Sequence, residues 1–293
     1  MKKGVLLLAH GSPDSIDQID HYLLNVRGGR PLPPHGVEEI RQRYARIGGR
    51  SPLLDLTRRQ AQGLEALLGI PVYVGMRNWS PYIREAIEQM AGEGISQAAA
   101  ICMAPQYSTL STGLYMRHTR EALERAQAAL EIRWVESFPC HPLLVAAFGE
   151  RIRAVQNGRP IPVLFTAHSL PARILEAGDP YDTQVRATAQ GVAAELGLRD
   201  WDFAYQSQGL TEEPWLGPTV ESRIDALSAA GVRDLILAPI GFLCDHVEIL
   251  YDVDIVFRNY AAQRGIALER PQSLNDSPLL LRALAELAQE QLG

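Results

Sequence analysis

Between Pro239 and Asp254 the chain reads Pro-Ile-Gly-Phe-Leu-Cys-Asp-His-Val-Glu-Ile-Leu-Tyr-Asp-Val-Asp, a stretch dense in groups that bind protons or metals. An apolar run, Leu235 to Ala238, enters it like a buried strand. Pro239 and Gly241 break that strand, and Asp245 is predicted to open an amphipathic helix. On such a helix Asp245, Glu248 and Asp252, spaced i, i+3 and i+7, share one face. Three carboxylates so placed repel one another unless a proton or a cation lies among them. The competing reading is a capping box, with Asp245 as N-cap and Glu248 reaching back to its backbone N–H. A second apolar run, Ile161 to Ala167, stops abruptly at His168-Ser-Leu-Pro171. Ligands of open α/β sheets bind beyond the carboxyl ends of strands, so His168 is presented to a cleft. A lone histidine is more often structural. Beside the carboxylates, it supplies the other half of a proton-relay or metal pair.

These groups need a scaffold, and the chain alternates strand and helix signals as a parallel sheet covered by helices requires. Strands are predicted at 4–9, 72–75 and 98–103; helices are predicted over 14–26, 37–47, 51–68, 81–90 and 114–130. The order recurs. Leu-Leu-Leu-Ala-His10-Gly-Ser-Pro13 is echoed by Leu-Phe-Thr-Ala-His168-Ser-Leu-Pro171, and Gly94 to Pro105 is echoed by Gly231 to Pro239. The fold class expected is therefore α/β with two similar Rossmann-like halves, roughly 1–150 and 151–270, and a cleft between them. A last helix in 271–293, Ser277 to Leu292, is expected to pack back on the first half. Duplication places His10 and His168 at equivalent strand ends on opposite walls.

Composition narrows the function. At 293 residues and 46% hydrophobic content the chain can build real cores, and a net charge of −6 with pI near 5.7 disfavours a nucleic-acid partner. Three dispersed cysteines, Cys102, Cys140 and Cys244, form no disulfide framework, which fits a reducing compartment. The first apolar run is too short for a signal-peptide core, and no run approaches the ~18 residues of a membrane span. A cytoplasmic location follows. The chain has no Gly-x-Gly-x-x-Gly after a strand, no P-loop and no Gly-x-Ser-x-Gly, so nucleotide binding and a serine-hydrolase elbow lack support.

The pair of blocks His168-Ser-Leu-Pro171 and Gly241-Phe-Leu-Cys-Asp-His-Val-Glu-Ile-Leu-Tyr-Asp252 resembles the two signatures of ferrochelatases, which insert Fe2+ into a porphyrin. Ile47 to Pro52, Ala104 to Ser108, Gly178 to Tyr181, Tyr205 to Gly209 and Pro214 to Pro218 also look like family landmarks, in family order. The resemblance covers essentially the whole chain and implies the chelatase fold, with a porphyrin cleft between the halves. It gives His168 and Glu248 the catalytic and metal-holding work, with base and ligand roles for His168 left open. Asp252 and Asp254 continue an acidic line that conducts metal or protons, or else form a solvated helix face; the line gives way to Val256. The same resemblance assigns His10, Arg27, Arg43, Tyr44, Ser51 and Tyr115 to the porphyrin. His10 stands where Gram-positive-type enzymes commonly carry tyrosine, and imidazole is still a competent axial ligand to iron. Ser51 before Pro52 also suits a helix cap. Asn78, where some relatives have histidine, receives no role.

Fe2+ is expected as substrate, with no permanently bound cofactor and no iron–sulfur cluster, because three cysteines fall short of the four thiolates such a cluster needs. The chain is expected to act as a monomer. A cobalt or sirohydrochlorin chelatase and a non-catalytic haem-binding protein are the competing readings. The short loop Asn25 to Pro34, with Arg27 and Arg30 near Arg43 and Arg46, resembles that of coproporphyrin III ferrochelatases, although Gly28 replaces an arginine common there. Coproporphyrin III carries four propionates, so it is the expected substrate, with protoporphyrin IX as the alternative.

Overall fold

A computed structural model describes residues 1–209 and 213–293. Two four-stranded parallel sheets form its frame. The first contains β1 (Lys3–Ala9), β2 (Val72–Met76), β3 (Gln97–Cys102) and β4 (Glu131–Val135), in the order β2-β1-β3-β4. The second contains β5 (Val163–His168), β6 (Trp201–Gln206), β7 (Asp234–Pro239) and β8 (Ala267–Glu269), in the order β6-β5-β7-β8. Strand for strand the two orders are identical, as a duplicated α/β unit requires. Crossovers in the first half are α1 (Ile19–Val26), α2 (Pro34–Arg46), α3 (Leu53–Leu68), α4 (Ile83–Gly92) and α5 (Thr112–Ala126). Then come α6 (Pro142–Gln156), α7 (Arg173–Glu176), α8 (Tyr181–Leu196), α9 (Val220–Ala229), α10 (Arg258–Ala262) and α11 (Pro278–Leu292).

Side-chain alternation explains how each sheet is buried on both faces. Along β1, Val5 and Leu7 enter one core while Leu6 and Leu8 enter another with Ile87 and Met90 of α4. Along β5, Val163, Phe165 and Ala167 meet the core that holds Val5 and Leu7, whereas Leu164 turns to Ile224 of α9. The shared core is filled by α3, α6, α8 and α11 through residues such as Leu64, Phe148, Val192 and Leu284. Leu284 is fully buried, so Leu284→Ala would cost roughly 2–5 kcal/mol. The division drawn near residue 150 falls inside α6, which packs on α8 and α11; α11 also packs on α3, β3 and β4.

Polar contacts fix the halves against each other beside the cleft. Gln106 Nε2 donates to Thr188 Oγ1 at 3.0 Å and to the Ile240 carbonyl at 3.3 Å. Asp179 Oδ2 accepts from Ser108 Oγ at 3.1 Å and from Thr109 N at 2.7 Å. Asp179 is buried, and with Tyr181 N donating to its Oδ1 at 3.0 Å it is held by hydrogen bonds from both halves.

Two expectations are corrected. The helix expected to reach residue 130 ends at Ala126, where Gln127 turns left-handed at φ 48° and frees the chain to form β4. The helix expected from Asp245 does not begin there. A π-helix spans Glu248–Phe257, its N-cap is Val247, and Asp245 lies in the preceding loop. Asp245 makes no capping box, since its carboxylate accepts from Arg270, Ser273 and Asn275.

Candidate active site

The carboxyl ends of β1 and β5 open on one cleft of about 250 Å3 between the halves. Its walls bring together His10, Tyr44, Ser51 and Tyr115 from the first half with His168 and Glu248 from the second. Two glycines permit the close approach. A Cβ on Gly241 would lie 2.8 Å from Ala167 Cβ, and Gly11 takes φ +86° with the Trp79 backbone nitrogen 2.8 Å from where its Cβ would stand.

His168 is the last residue of β5, and its Nδ1 hydrogen-bonds to the Ser169 carbonyl. That carbonyl can only accept, so Nδ1 carries a proton and Nε2 turns to Glu248 Oε1, 3.4 Å away. Glu248 opens the π-helix. Its other oxygen lies 3.6 Å from Nε2 of His246, whose Nδ1 donates to the Cys244 carbonyl at 2.9 Å. One carboxylate thus sits between two imidazoles that are oriented alike. Burial opposes charge on His168, but the Glu248 carboxylate overcomes it and raises the imidazole pKa above its usual value. Burial likewise works against ionised Glu248; His168 and His246 reverse this and hold the carboxyl well below the usual range. Each group therefore favours the charged form of the other. About a third of each side chain remains exposed, which lets water and an incoming ion reach it.

The π-helix redistributes the acidic line. Its hydrogen bonds run from i to i+5, so the residue four positions on returns to nearly the same face. Asp252 follows Glu248 on that face and accepts from Ser207 Oγ at 2.5 Å. Burial raises the Asp252 pKa, the Ser207 hydrogen bond opposes the rise, and the Glu248 charge reinforces it. Asp254 does not continue the line. It turns away and takes two hydrogen bonds from Arg270, at 2.8 and 2.7 Å.

On the facing wall His10 is held neutral, its pKa pushed down to about 3 by burial and by the Arg77 charge. It also feels the charges of Glu248, His246 and His168 across the cleft. Tyr44 is buried and shares a 2.8 Å hydrogen bond with Ser12. Ser51 lines the cleft and also accepts from Leu53 N, the first helical N–H of α3, at 3.3 Å, although the cap position itself is Pro52. Two of the expected substrate residues lie outside the lining. Arg43 stands 4.0 Å from Asp252 and pairs with Glu39 at 2.6 Å, while Arg27 Nε donates to the Arg30 carbonyl at 3.1 Å. Arg77 was not singled out and Asn78 was given no role. Arg77 lines the cleft with its guanidinium 5.3 Å from the Tyr115 ring centre, and Asn78 hydrogen-bonds to His10. Both follow β2, a parallel strand whose carboxyl end opens on the site, and that position was the available signal.

Two like α/β halves with a histidine–carboxylate pair between them define a chelatase fold. Comparison with known proteins agrees. The profile of the family described as ferrochelatase matches residues 2–292. A ferrochelatase of Acidobacterium capsulatum is 49% identical, over 99% of this chain and 95% of its own. A coproporphyrin III ferrochelatase of Geobacillus kaustophilus is 35% identical, over 97% of this chain and 94% of its own. Among solved structures, SirB of Bacillus subtilis with Fe3+ superposes at a TM-score of 0.67 and 12% identity, covering 99% of this chain and 96% of that one. This chain belongs to the ferrochelatase family, the metal-inserting chelatases of haem biosynthesis. No helix among the described residues is long and apolar enough to cross a membrane.

Proposed function

We propose that the protein inserts Fe2+ into coproporphyrin III in the cleft between its halves, with His168 and Glu248 as the groups that handle protons and metal. The observation that carries the reading of an anionic porphyrin is Arg77. It is a half-buried guanidinium in the cleft wall that forms no ion pair with a carboxylate among the described residues. A cation so placed is stabilised by an anionic ligand, and a propionate provides one with charge-assisted geometry. Arg27, Arg30, Arg43 and Arg46 add cationic groups beyond the lining, which suits a tetra-anionic ring. Three Bacillaceae relatives named coproporphyrin III ferrochelatases, at 33–35% identity, support the same choice.

Insertion exchanges one Fe2+ for two pyrrole protons. Water accepts the proton held between His168 and Glu248, and neutral His168 then presents the Nε2 lone pair that takes the two pyrrole protons one after the other, passing each to water before the next. Glu248 offers oxygen and the imidazoles offer nitrogen, a set that holds Fe2+ loosely enough to pass it to the porphyrin. Asp252, one turn along the π-helix with a raised pKa, is placed to carry protons away. The expected iron–sulfur-free, monomeric and cytoplasmic state belongs to the same reading, and the site draws all its groups from one chain.

Comparing kcat/KM for coproporphyrin III and protoporphyrin IX under anaerobic conditions, then repeating it with Arg77→Ala, tests the proposal. One desolvated guanidinium–propionate contact contributes about 1.5–3 kcal/mol, so the variant should lose about 10- to 100-fold on coproporphyrin III. A wild-type preference for protoporphyrin IX, or unchanged coproporphyrin kinetics in the variant, would refute it.

A further inference from the structure

His10 follows β1, His168 ends the equivalent strand β5, and both line one cleft, yet their rings are held in opposite senses. His168 gives Nδ1 to a backbone carbonyl and turns Nε2 to the reacting pair. His10 instead has its Nε2 3.1 Å from the side-chain amide nitrogen of Asn78. Asn78 is 3% exposed and, unlike His10, does not line the cleft. The amide cannot turn over without a clash of donors, because its Oδ1 accepts from Arg77 Nε at 3.4 Å. Backbone contacts hold it in place as well: Asn78 N donates to the His10 carbonyl at 3.0 Å, and the Asn78 carbonyl accepts from Asn25 Nδ2 at 3.1 Å. An amide nitrogen only donates, so His10 Nε2 accepts and the single proton of the neutral ring sits on Nδ1.

We infer that Asn78 is a positioning residue that occupies the one lone pair with which His10 could bind iron, so that the metallated porphyrin leaves this wall without an axial bond to break. The inference rests on the reading of the cleft as the place where the iron porphyrin forms. Imidazole coordinates iron through an unprotonated nitrogen, and with Nε2 engaged and Nδ1 protonated His10 has none to offer. This reverses the expectation, carried by the resemblance, of a ready axial ligand at position 10. Replacing the amide by an apolar side chain releases Nε2 and lets the imidazole turn to the metal.

Two measurements decide the matter. Long-range proton–nitrogen spectra of the free, nitrogen-labelled protein read the tautomer without any substrate, with the His10 signals assigned by their loss in His10→Phe. The Nδ1–H form is expected; an Nε2–H form at His10 overturns the inference. The second measurement adds iron coproporphyrin III or iron protoporphyrin IX to the wild type, to Asn78→Leu and to Asn78→Leu/His10→Phe. Resonance Raman should show no iron–imidazole vibration dependent on His10 in the wild type. Asn78→Leu should gain one and release the iron porphyrin about tenfold more slowly, the factor that one net hydrogen bond represents. The double variant should lose both effects. A wild-type vibration that disappears in His10→Phe, or an Asn78→Leu protein with wild-type spectrum and release rate, overturns the inference. If neither iron porphyrin binds the wild type, the reading of the cleft fails, while the tautomer still decides whether Asn78 holds the His10 lone pair.

Discussion

Arg270 offers the most quantitative test of how the site is held. Its side chain is 10% exposed and joins Asp245, in the loop before the π-helix, to Asp254 near the end of that helix. Asp254 receives two hydrogen bonds from it, at 2.8 and 2.7 Å, and Asp245 receives one at 3.1 Å. Breaking a buried pair by removing one partner costs about 3–5 kcal/mol, because the other charge stays behind without compensation. Here the residual charges are partly met. Asp245 keeps Ser273 at 2.8 Å and Asn275 at 3.0 Å, and Asp254 keeps an exposed Arg258 at 3.5 Å. The lower end, about 3 kcal/mol, is therefore the expected cost of Arg270→Met, which preserves the length of the stem. At roughly 2–3 °C per kcal/mol for a chain of this size, the unfolding midpoint should fall by about 6–9 °C. Thermal unfolding and urea midpoints would measure it. Adding Asp254→Asn removes the stranded charge, so the double variant should regain about half of the loss. Arg270→Met within about 2 °C of the wild type, or a double variant whose loss is simply additive, would refute the account. Because the clamp secures the segment carrying Glu248 and Asp252, kcat for metal insertion should also drop well below the new midpoint, where the variant is still folded.

His168→Ala and Glu248→Gln should each reduce anaerobic metal insertion by at least about 100-fold while leaving the circular dichroism spectrum unchanged, since both side chains face the cleft; near-normal turnover in either would sink the assignment. The residual activity of Glu248→Gln should also shift with pH. Burial lowers the His168 pKa and Glu248 raises it, so the wild-type rate should climb as pH rises through a value above 6.5, and the variant should climb at lower pH; an unmoved or upward-moved limb contradicts the pairing. Anaerobically purified protein should contain no stoichiometric inorganic sulfide, because its thiols are Cys102, Cys140 and Cys244 alone, and sulfide in proportion to protein would overturn that expectation.

The legible parts of the fold were those that two buried faces impose on sequence. The central strands β1 and β5 are apolar at nearly every buried position, and the Ala-His and Ala-Pro endings repeat because both halves use the same strand ends to face the cleft. The edge strands β4 and β8 carry less of it. β4, Glu-Ile-Arg-Trp-Val, alternates charged and apolar residues over only five positions and ends on buried Val135, and β8 is only Ala267–Glu269, both too short to be marked with certainty. His168 and His10 could be placed from their strand ends and Glu248 from the signature block that holds it, whereas Arg77, just past the end of β2, was not singled out and Asn78 beside it was given no role.

The acidic segment shows where periodicity misleads. Spacings of three and seven put Asp245, Glu248 and Asp252 together only if an α-helix begins at Asp245. A π-helix beginning at Glu248 keeps Glu248 and Asp252 and rejects the other two carboxylates. Arg270, far along the chain, then explains why Asp245 and Asp254 remain acidic: they anchor the two ends of a helix whose wide turn is intrinsically unfavourable. Four carboxylates thus divide into two tasks. Glu248 and Asp252 stay beside His168 and Ser207, where the proposed function has them serve protons and metal, and Asp245 and Asp254 share the Arg270 guanidinium, with Arg258 beside Asp254 as well, which keeps the first pair in register. Neutralising Asp252 as Asn should therefore slow proton and metal traffic with little loss of stability, while neutralising Asp254 should act first on stability and reach the insertion rate only through the loosened helix. Comparing insertion rates and urea midpoints of the two variants checks the division, and similar profiles for both would show that it is wrong.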